Sequence, residues 1–292
     1  MQKVIHVQNL TKQFGSFKAL DSFDITVNKG EVHGFLGPNG SGKTTTIKIL
    51  LGLIRKTSGE VSLLGGNPWK DVVELHKRLA YVPGDVNLWP DLTGGEVIDF
   101  LGRLRGNFNT NRRDELIEKF HLDPSKKCKT YSTGNRQKVA LISAFSSDVE
   151  LIILDEPTSG LDPLMSSLFR ECVRETNQNG ITILFSSHIL TEVEELCNRV
   201  TIIKDGKTID SGSLEDMRHF SLMNIVAETQ NPVSGLDTLR GIHNLDISGN
   251  NVTFQAEAGA LQEAVTLLTR YGIKSLQSHP PTLKDLFMRY YK

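Results

Sequence analysis

An α/β fold with a mainly parallel sheet is what this sequence predicts, and three observations carry the prediction. Between residues 150 and 204 short apolar runs alternate with stretches of helical periodicity, the pattern of strands buried on both faces with helices between them. A glycine-rich break at 37–42 separates an apolar run, Val32 to Leu36, from a helical one, Lys43 to Leu53. From about 90 to 148 the pattern is helical throughout, so an all-helical insertion interrupts the alternation. An N-terminal antiparallel β subdomain before the break and a small α+β appendage at the C-terminal end complete the expected architecture.

Taken in order, Phe23, Ile25 and Val27 alternate with polar neighbours as in a half-buried strand, and Asn28-Lys29-Gly30 turns the chain. Val32 to Leu36 is the next strand. Thr93-Gly94-Gly95-Glu96 has the spacing of a capping box that opens a helix to about Arg105, and further helices fit 111–120 and 135–147. Strands at 150–154, 181–185 and 200–204 then enclose helices at 164–178 and 190–198. Asp205-Gly206 between two strand-like runs signals a hairpin. Beyond it, 224–228 and 252–256 read as strands, 259–271 as a helix, and 282–291 as a closing segment after Pro280-Pro281. The organisation expected is therefore 1–218 and 219–292.

Composition narrows the function classes. A chain of 292 residues and 32.4 kDa buries a substantial core without disulfides or metals. With 38% hydrophobic and 23% charged residues it is neither a disordered tail nor a fibre. A net charge of −1 supplies no global basic field, so no nucleic-acid partner is expected. Cys128, Cys172 and Cys197 form no C-x-x-C pair, which predicts neither a metal site nor a disulfide framework and fits a reducing cytosol. No apolar run approaches the roughly 18 residues that cross a bilayer. The chain is expected to be soluble and to reach a membrane only by docking on a membrane protein.

Gly37-Pro38-Asn39-Gly40-Ser41-Gly42-Lys43-Thr44 fits G-x-x-x-x-G-K-[ST] in a strand–loop–helix setting, which makes the core that of a P-loop NTPase. Glycines let successive backbone N–H groups curl around a phosphate, Lys43 reaches the terminal phosphates and the Thr44 hydroxyl binds Mg²⁺. Leu151 to Leu154 is an apolar strand ending in Asp155 and Glu156. A carboxylate at a strand end beside such a loop holds Mg²⁺, and the next one polarises an attacking water. A GTPase would carry N-K-x-D late in the chain, whereas Asn28-Lys29 precedes the loop and continues Gly30-Glu31. A small-molecule kinase, whose acceptor is bound substrate, has little use for Glu156.

Tyr131-Ser132-Thr133-Gly134-Asn135-Arg136-Gln137, about twenty residues before Asp155, resembles the signature of the ATP-binding cassette (ABC) family, L-S-G-G-Q ahead of a helix. Phe14, the run Ser159-Gly160-Leu161-Asp162 and His188 after Ser186-Ser187 fall in the same family's order, so the resemblance covers about 2–218. Within the family it is most similar to the nucleotide-binding subunits of bacterial drug and antibiotic exporters, through Ser132 to Gln137 and the ending Pro281-Thr282-Leu283-Lys284-Asp285-Leu286-Phe287.

That resemblance implies an ATPase with ATP and Mg²⁺ as ligands. Phe14 would stack on adenine. Gly37, Asn39, Gly40, Ser41, Gly42, Lys43, Thr44 and Thr45 would hold the phosphates, Thr44 and Asp155 the Mg²⁺, and Glu156 would activate water beside His188. Ser132, Thr133, Gly134 and Asn135, with Asp162 at the seam, would complete the γ-phosphate site of a second cassette. Two cassettes, identical or not, would then sandwich two ATP molecules and drive a separately encoded integral membrane permease from the cytoplasmic face of the membrane.

The sequence departs from the family in two places. Tyr81-Val82-Pro83-Gly84-Asp85 has Gly84 where the family usually has Gln, and Asp85 is either a substitute or a turn former. In the signature, Thr133 replaces the first glycine, which the loop tolerates only with a negative φ, and Asn135 replaces the glutamine. With Glu156 retained, slow but genuine turnover is expected. Glu192, Glu194 and Glu195 read as a solvated face, Arg112-Arg113 and Lys126-Lys127 as surface charge, and Trp69 and Trp89 as core or edge packing. Two rival functions are a soluble cassette ATPase acting on ribosomes or DNA and a slow-hydrolysing nucleotide switch. One cassette without a long heptad tract weighs against the first, and Glu156 with His188 against the second.

Overall fold

The structure is a computed structural model that describes residues 2–106, 108–219, 222–257 and 259–279. It divides into two compact units, Met1–Gly212 and Ser213–Lys292. The division falls ahead of the 218/219 boundary expected from sequence because the central sheet ends at Ser213, leaving the helix Leu214–His219 with the second unit.

In chain order the first unit runs β1 (Lys3–Phe14), β2 (Phe17–Asn28), β3 (Val32–Leu36), α1 (Lys43–Leu50), β4 (Ser58–Leu63), α2 (Val72–Lys77), β5 (Leu79–Val82), α3 (Gly94–Arg105), α4 (Thr110–Lys119), α5 (Thr133–Phe145), β6 (Leu151–Asp155), α6 (Pro163–Gln178), β7 (Thr182–Ser187), α7 (Leu190–Leu196), β8 (Arg199–Lys204) and β9 (Lys207–Ser213). Strands β2, β1 and β4 form an antiparallel sheet, and β5-β6-β7-β3-β8-β9 form the central one. In the central sheet β5–β6, β6–β7, β7–β3 and β3–β8 all pair in parallel. Asp205 and Gly206, both at positive φ (49° and 75°), make the tight turn between β8 and β9, the conformation that a two-residue hairpin of this kind needs.

The parallel strands are short and apolar on both faces: every residue of β3, β6 and β7 is buried. The antiparallel sheet stacks on the central one through Phe23 of β2 and Phe35 of β3, both fully buried with ring centroids 5.5 Å apart. In the helical insertion the capping box is present: Thr93 N–H donates to Glu96 Oε2 at 2.7 Å and Glu96 N–H to Thr93 Oγ1 at 3.2 Å. Arg105, at the end of α3, is half-buried and donates to the Ser143 carbonyl at 3.1 Å and to the Ser147 hydroxyl at 3.0 Å. Arg112 is not plain surface charge. It pairs with Glu175, which also takes Lys119 at 3.2 Å, so α4 is tied to α6 by a shared carboxylate.

The second unit comprises α8 (Leu214–His219), β10 (Met223–Thr229), β11 (Ile242–Ser248), β12 (Asn251–Ala256), α9 (Leu261–Arg270) and β13 (Ile273–His279). Its antiparallel sheet has the order β11-β12-β10-β13. Ala264 and Leu268 of α9 share a core with Ile225, Ala227, Val252 and Phe254, the alternate residues of β10 and β12. The expected closing segment at 282–291 lies outside the described residues. Among the described residues no helix is long and apolar enough to cross a membrane.

Because Phe35 joins two sheets, Phe35→Ala should cost about 3–5 kcal/mol, read as a lowered melting temperature in calorimetry.

Candidate active site

Parallel pairing brings the loops of interest to one sheet end. Leu36, the last residue of β3, is level with Ser187 of β7, and Asp155, the last of β6, is level with Ser186. The segments 37–42, 156–162 and 188–189 therefore all leave the sheet at its carboxyl edge, where sites of open α/β sheets form.

The loop 37–42 curls tightly before α1. Gly42 is at φ 113°, and a Cβ there would sit 2.9 Å from the Ala19 carbonyl oxygen, so no other residue fits without moving backbone. Lys43 folds back over the loop: its Nζ donates to the carbonyls of Gly37 at 2.7 Å and Pro38 at 3.2 Å and lies 3.6 Å from Glu156 Oε1. Burial pulls the Lys43 ammonium below its ordinary pKa, with the Glu156 and Asp155 carboxylates opposing. The Ser41 hydroxyl is buried with no hydrogen-bond partner. An anion cradle lined by backbone N–H groups, the start of α1, Lys43 and an unsatisfied hydroxyl fits a polyphosphate.

Asp155 is buried and shared between two hydroxyls. Ser186 Oγ donates to its Oδ1 at 2.5 Å and Thr44 Oγ1 to its Oδ2 at 3.3 Å. An exposed threonine oxygen beside a carboxylate is the donor set a hard divalent cation takes. Glu156 adopts φ 48°, a left-handed conformation that costs a non-glycine residue about 1–3 kcal/mol. Its N–H is held by the Ser186 carbonyl at 3.0 Å, and its Oε2 lies 3.1 Å from His188 Nδ1. In such a pair, open to solvent, the carboxylate can take a proton from water and the imidazole can donate a hydrogen bond to an oxyanion.

The remaining predicted residues lie apart from this cluster. Phe14 ends β1, is 49% exposed and has Lys12 Nζ 4.4 Å from its ring centroid, an accessible stacking face. Ser132 caps α5, accepting from the Asn135 N–H at 3.3 Å, and Thr133 is the first helical residue, with the negative φ the sequence requires. The helix thus begins two residues earlier than expected. Gly134 packs on the turn after Glu156, since a Cβ there would lie 2.9 Å from the Gly160 carbonyl oxygen. Asp162 caps α6 through the Met165 N–H at 2.9 Å. Among the described residues no hydrogen bond joins Phe14 or Ser132 to Asn135 with the phosphate loop.

Tyr81 and Gly84 border the cluster. A Cβ on Gly84 would be 3.1 Å from the Asp155 carbonyl oxygen, so the loop after β5 runs against the strand end that carries the two acids. Asp85 accepts from the Asn87 side-chain amide at 3.4 Å and is exposed, a turn-forming arrangement. Sequence reasoning missed two members. Gln137 is buried on α5 and donates to the Pro157 carbonyl at 2.9 Å. Glu192, read as part of a solvated face, is buried at 7% exposure and accepts from Thr158 and Ser187. Gln137 closes the signature run, but its contact, like that of Glu192, forms only once the turn after β6 is folded against α5 and α7.

The family profile of the ABC transporter matches residues 20–159, the span from β2 through the Asp155–Glu156 turn. An uncharacterised ABC transporter ATP-binding protein of Bacillus subtilis, YhaQ, is 34% identical over 98% of this chain and 97% of its own length. The chain belongs to the ABC transporter family. It is an ATP-binding subunit of that family, and its activity is ATP hydrolysis. The bacitracin transport ATP-binding protein BcrA of Bacillus licheniformis is 38% identical over 72% of this chain and 70% of that protein. The linearmycin resistance ATP-binding protein LnrL of Bacillus subtilis is 29% identical over 98% of this chain and 97% of its own. Among solved structures, an ATP-binding subunit of an ABC transporter superposes with a TM-score of 0.69 at 30% identity, covering 74% of this chain and 92% of that one. A dimeric cassette in a post-hydrolysis state with ADP and Pi superposes with a TM-score of 0.63 at 26% identity, covering 72% and 98%. Both structural likenesses cover roughly the first unit's share of the chain.

Since Gly42 combines a positive φ with backbone contact, Gly42→Ala in this cassette should destabilise by about 1–3 kcal/mol and weaken binding of a fluorescent ATP analogue. Denaturant midpoints and a titration with that analogue measure the two effects.

Proposed function

We propose that this chain is the ATPase subunit of an exporter of antibiotics or other amphipathic compounds, working as a cassette pair beneath a separately encoded integral membrane permease on the cytoplasmic face of the cell membrane. The observation that carries the hydrolytic part is the Glu156–His188 hydrogen bond, 3.1 Å, set beside Lys43 and Asp155 at one sheet edge. The bacitracin and linearmycin relatives support the substrate class.

In this reading Phe14 stacks on adenine, and Gly37, Asn39, Gly40, Ser41, Gly42, Lys43, Thr44 and Thr45 surround the phosphates. Thr44 and Asp155 hold Mg²⁺, which when bound neutralises phosphate oxygens. Glu156 takes the proton of the attacking water, and His188 donates to the γ-phosphate as negative charge builds on it. Ser132, Thr133, Gly134 and Asn135 present the N-terminus of α5 to the phosphate held by the second cassette, with Asp162 near the seam. The dimeric cassette among the structural neighbours supports that pairing.

Coupling to the permease has a physical candidate. A groove of about 520 Å³ between α2 and α3 is lined by Leu53, Val73, His76, Tyr81, Leu101 and Leu104, and Leu53 and Leu104 are 63% and 68% exposed. Trp89, edge-on to Phe100 at 5.4 Å and half exposed, is a further exposed apolar side chain. Tyr81 lies three residues before Gly84, where an added Cβ would sit 3.1 Å from the Asp155 carbonyl oxygen, so a permease segment seated in the groove has a short route to the hydrolytic residues.

Glu156→Gln should bind ATP, fail to hydrolyse it and accumulate as a dimer by light scattering; a variant that stays monomeric at saturating ATP and Mg²⁺ counts against the paired-cassette mechanism. Leu104→Asp, at an exposed site, should leave the melting temperature unchanged while reducing recovery of a polytopic membrane protein with the tagged chain in mild detergent. Unchanged recovery would move the permease contact elsewhere.

A further inference from the structure

Glu192 lies on α7, a helix of seven residues that also carries Glu194 and Glu195. Its Oε2 accepts from Thr158 Oγ1 at 3.1 Å and from Ser187 Oγ at 3.3 Å. Ser187 Oγ in turn accepts from the Ile189 N–H at 2.9 Å, which fixes the backbone on the far side of His188. The two donors belong to different elements. Thr158 is two residues past Glu156 in the turn after β6, and Ser187 is the last residue of β7, immediately before His188.

Burying a carboxylate costs desolvation energy that an apolar side chain of similar volume would not incur. That cost shows in the Glu192 carboxyl, which burial pushes above the usual range despite its two hydroxyl donors and the nearby Arg170 and His188. Both hydrogen bonds it gains go to segments that flank the Glu156–His188 pair. The turn they hold is also strained: the left-handed Glu156 persists only where its surroundings over-determine it. Ser186 fixes that turn at the Glu156 N–H, Gln137 fixes it at the Pro157 carbonyl, and Glu192 fixes it at Thr158.

We propose that Glu192 is a positioning residue for ATP hydrolysis: by tying Thr158 to Ser187 it holds Glu156 and His188 within hydrogen-bonding distance of each other. It rests on the reading of those two residues as the hydrolytic pair. Glu192 itself acts only through them. Thr158 and Ser187 are its levers, and loss of the brace leaves the two flanking segments joined only through Ser186 and the Glu156 N–H. Misplacement of reacting groups by as little as about 1 Å lowers turnover as much as 100-fold without removing any group that binds substrate.

The test is steady-state ATPase kinetics of the full chain for wild type, Glu192→Ala, Glu192→Gln, Thr158→Val and the Glu192→Ala/Thr158→Val double variant, with Glu156→Gln as reference. Glu192→Ala should lower kcat about tenfold while KM for ATP stays within about twofold. Glu192→Gln, which keeps the shape and one acceptor oxygen, should recover most of the loss. The double variant should be no slower than Glu192→Ala alone, since both changes remove one shared bond. Wild-type kcat in folded Glu192→Ala, a raised KM at unchanged kcat, or multiplicative losses in the double variant would overturn the proposal. Should Glu192→Ala fail to fold, Thr158→Val decides: a kcat loss at constant KM supports the brace, and unchanged kcat overturns it. A Glu156→Gln variant that still turns over at the wild-type rate removes the hydrolytic pair itself. An inactive Glu156→Gln beside a fully active Glu192→Ala removes only the brace.

Discussion

Everything at the candidate site depends on the register of three parallel strands. Leu36 level with Ser187 and Asp155 level with Ser186 put the phosphate loop, the two acids and His188 at one height along the sheet. A slip of one residue in β6 would turn Asp155 to the opposite face and separate it from both Thr44 and Ser186. Full burial of β3, β6 and β7 on both faces fixes that register, because any shift moves every apolar side chain into a differently shaped neighbour. The Ser186–Asp155 hydrogen bond adds a polar lock at the strand ends.

The site built on this edge stores both charge and strain. Lys43 is buried, satisfied by two loop carbonyls and faced by Glu156, so in the proposed role its ammonium would meet a phosphate already desolvated. Glu156 is held in a left-handed conformation by contacts from β7, α5 and α7. Those contacts come from three separate parts of the cassette: the sheet, the helical insertion and the segment after His188. A turn tied to all three is suited to convert movement of any one into a change at Glu156, the carboxylate proposed to activate water.

Much of the architecture was legible because its signals are local. The phosphate loop, the capping box at Thr93 and Glu96 and the Asp205-Gly206 hairpin each declare themselves within a few residues. Strand β1 was not legible: its alternation breaks at the register shift between Val7 and Leu10, with Asn9 at φ 49°. Strand β5 has four residues, too few for a period, and β11 and β13 are exposed and polar along most of their length, paired by backbone rather than by a buried face. Arg112 and Glu192 were misread for one shared reason. Charged residues look solvent-facing until a distant element supplies a partner, here Glu175 for the one and Thr158 with Ser187 for the other.

By itself the sequence determined the chemistry: a glycine-rich loop with Lys43 and Thr44, paired acids after an apolar strand, a signature run before a helix and His188 after a strand name an ATPase of the ABC family. Those residue types bring the functional groups the chemistry needs, and their spacing reports the elements between them. Only the tertiary structure decided which of them meet. It joined Thr44, Asp155, Glu156 and His188 into one cluster, packed Gly134 against Gly160, brought Gly84 to the Asp155 carbonyl and drew Glu192 inward. Such contacts follow from strand order and register, which are properties of long-range packing that no local pattern encodes.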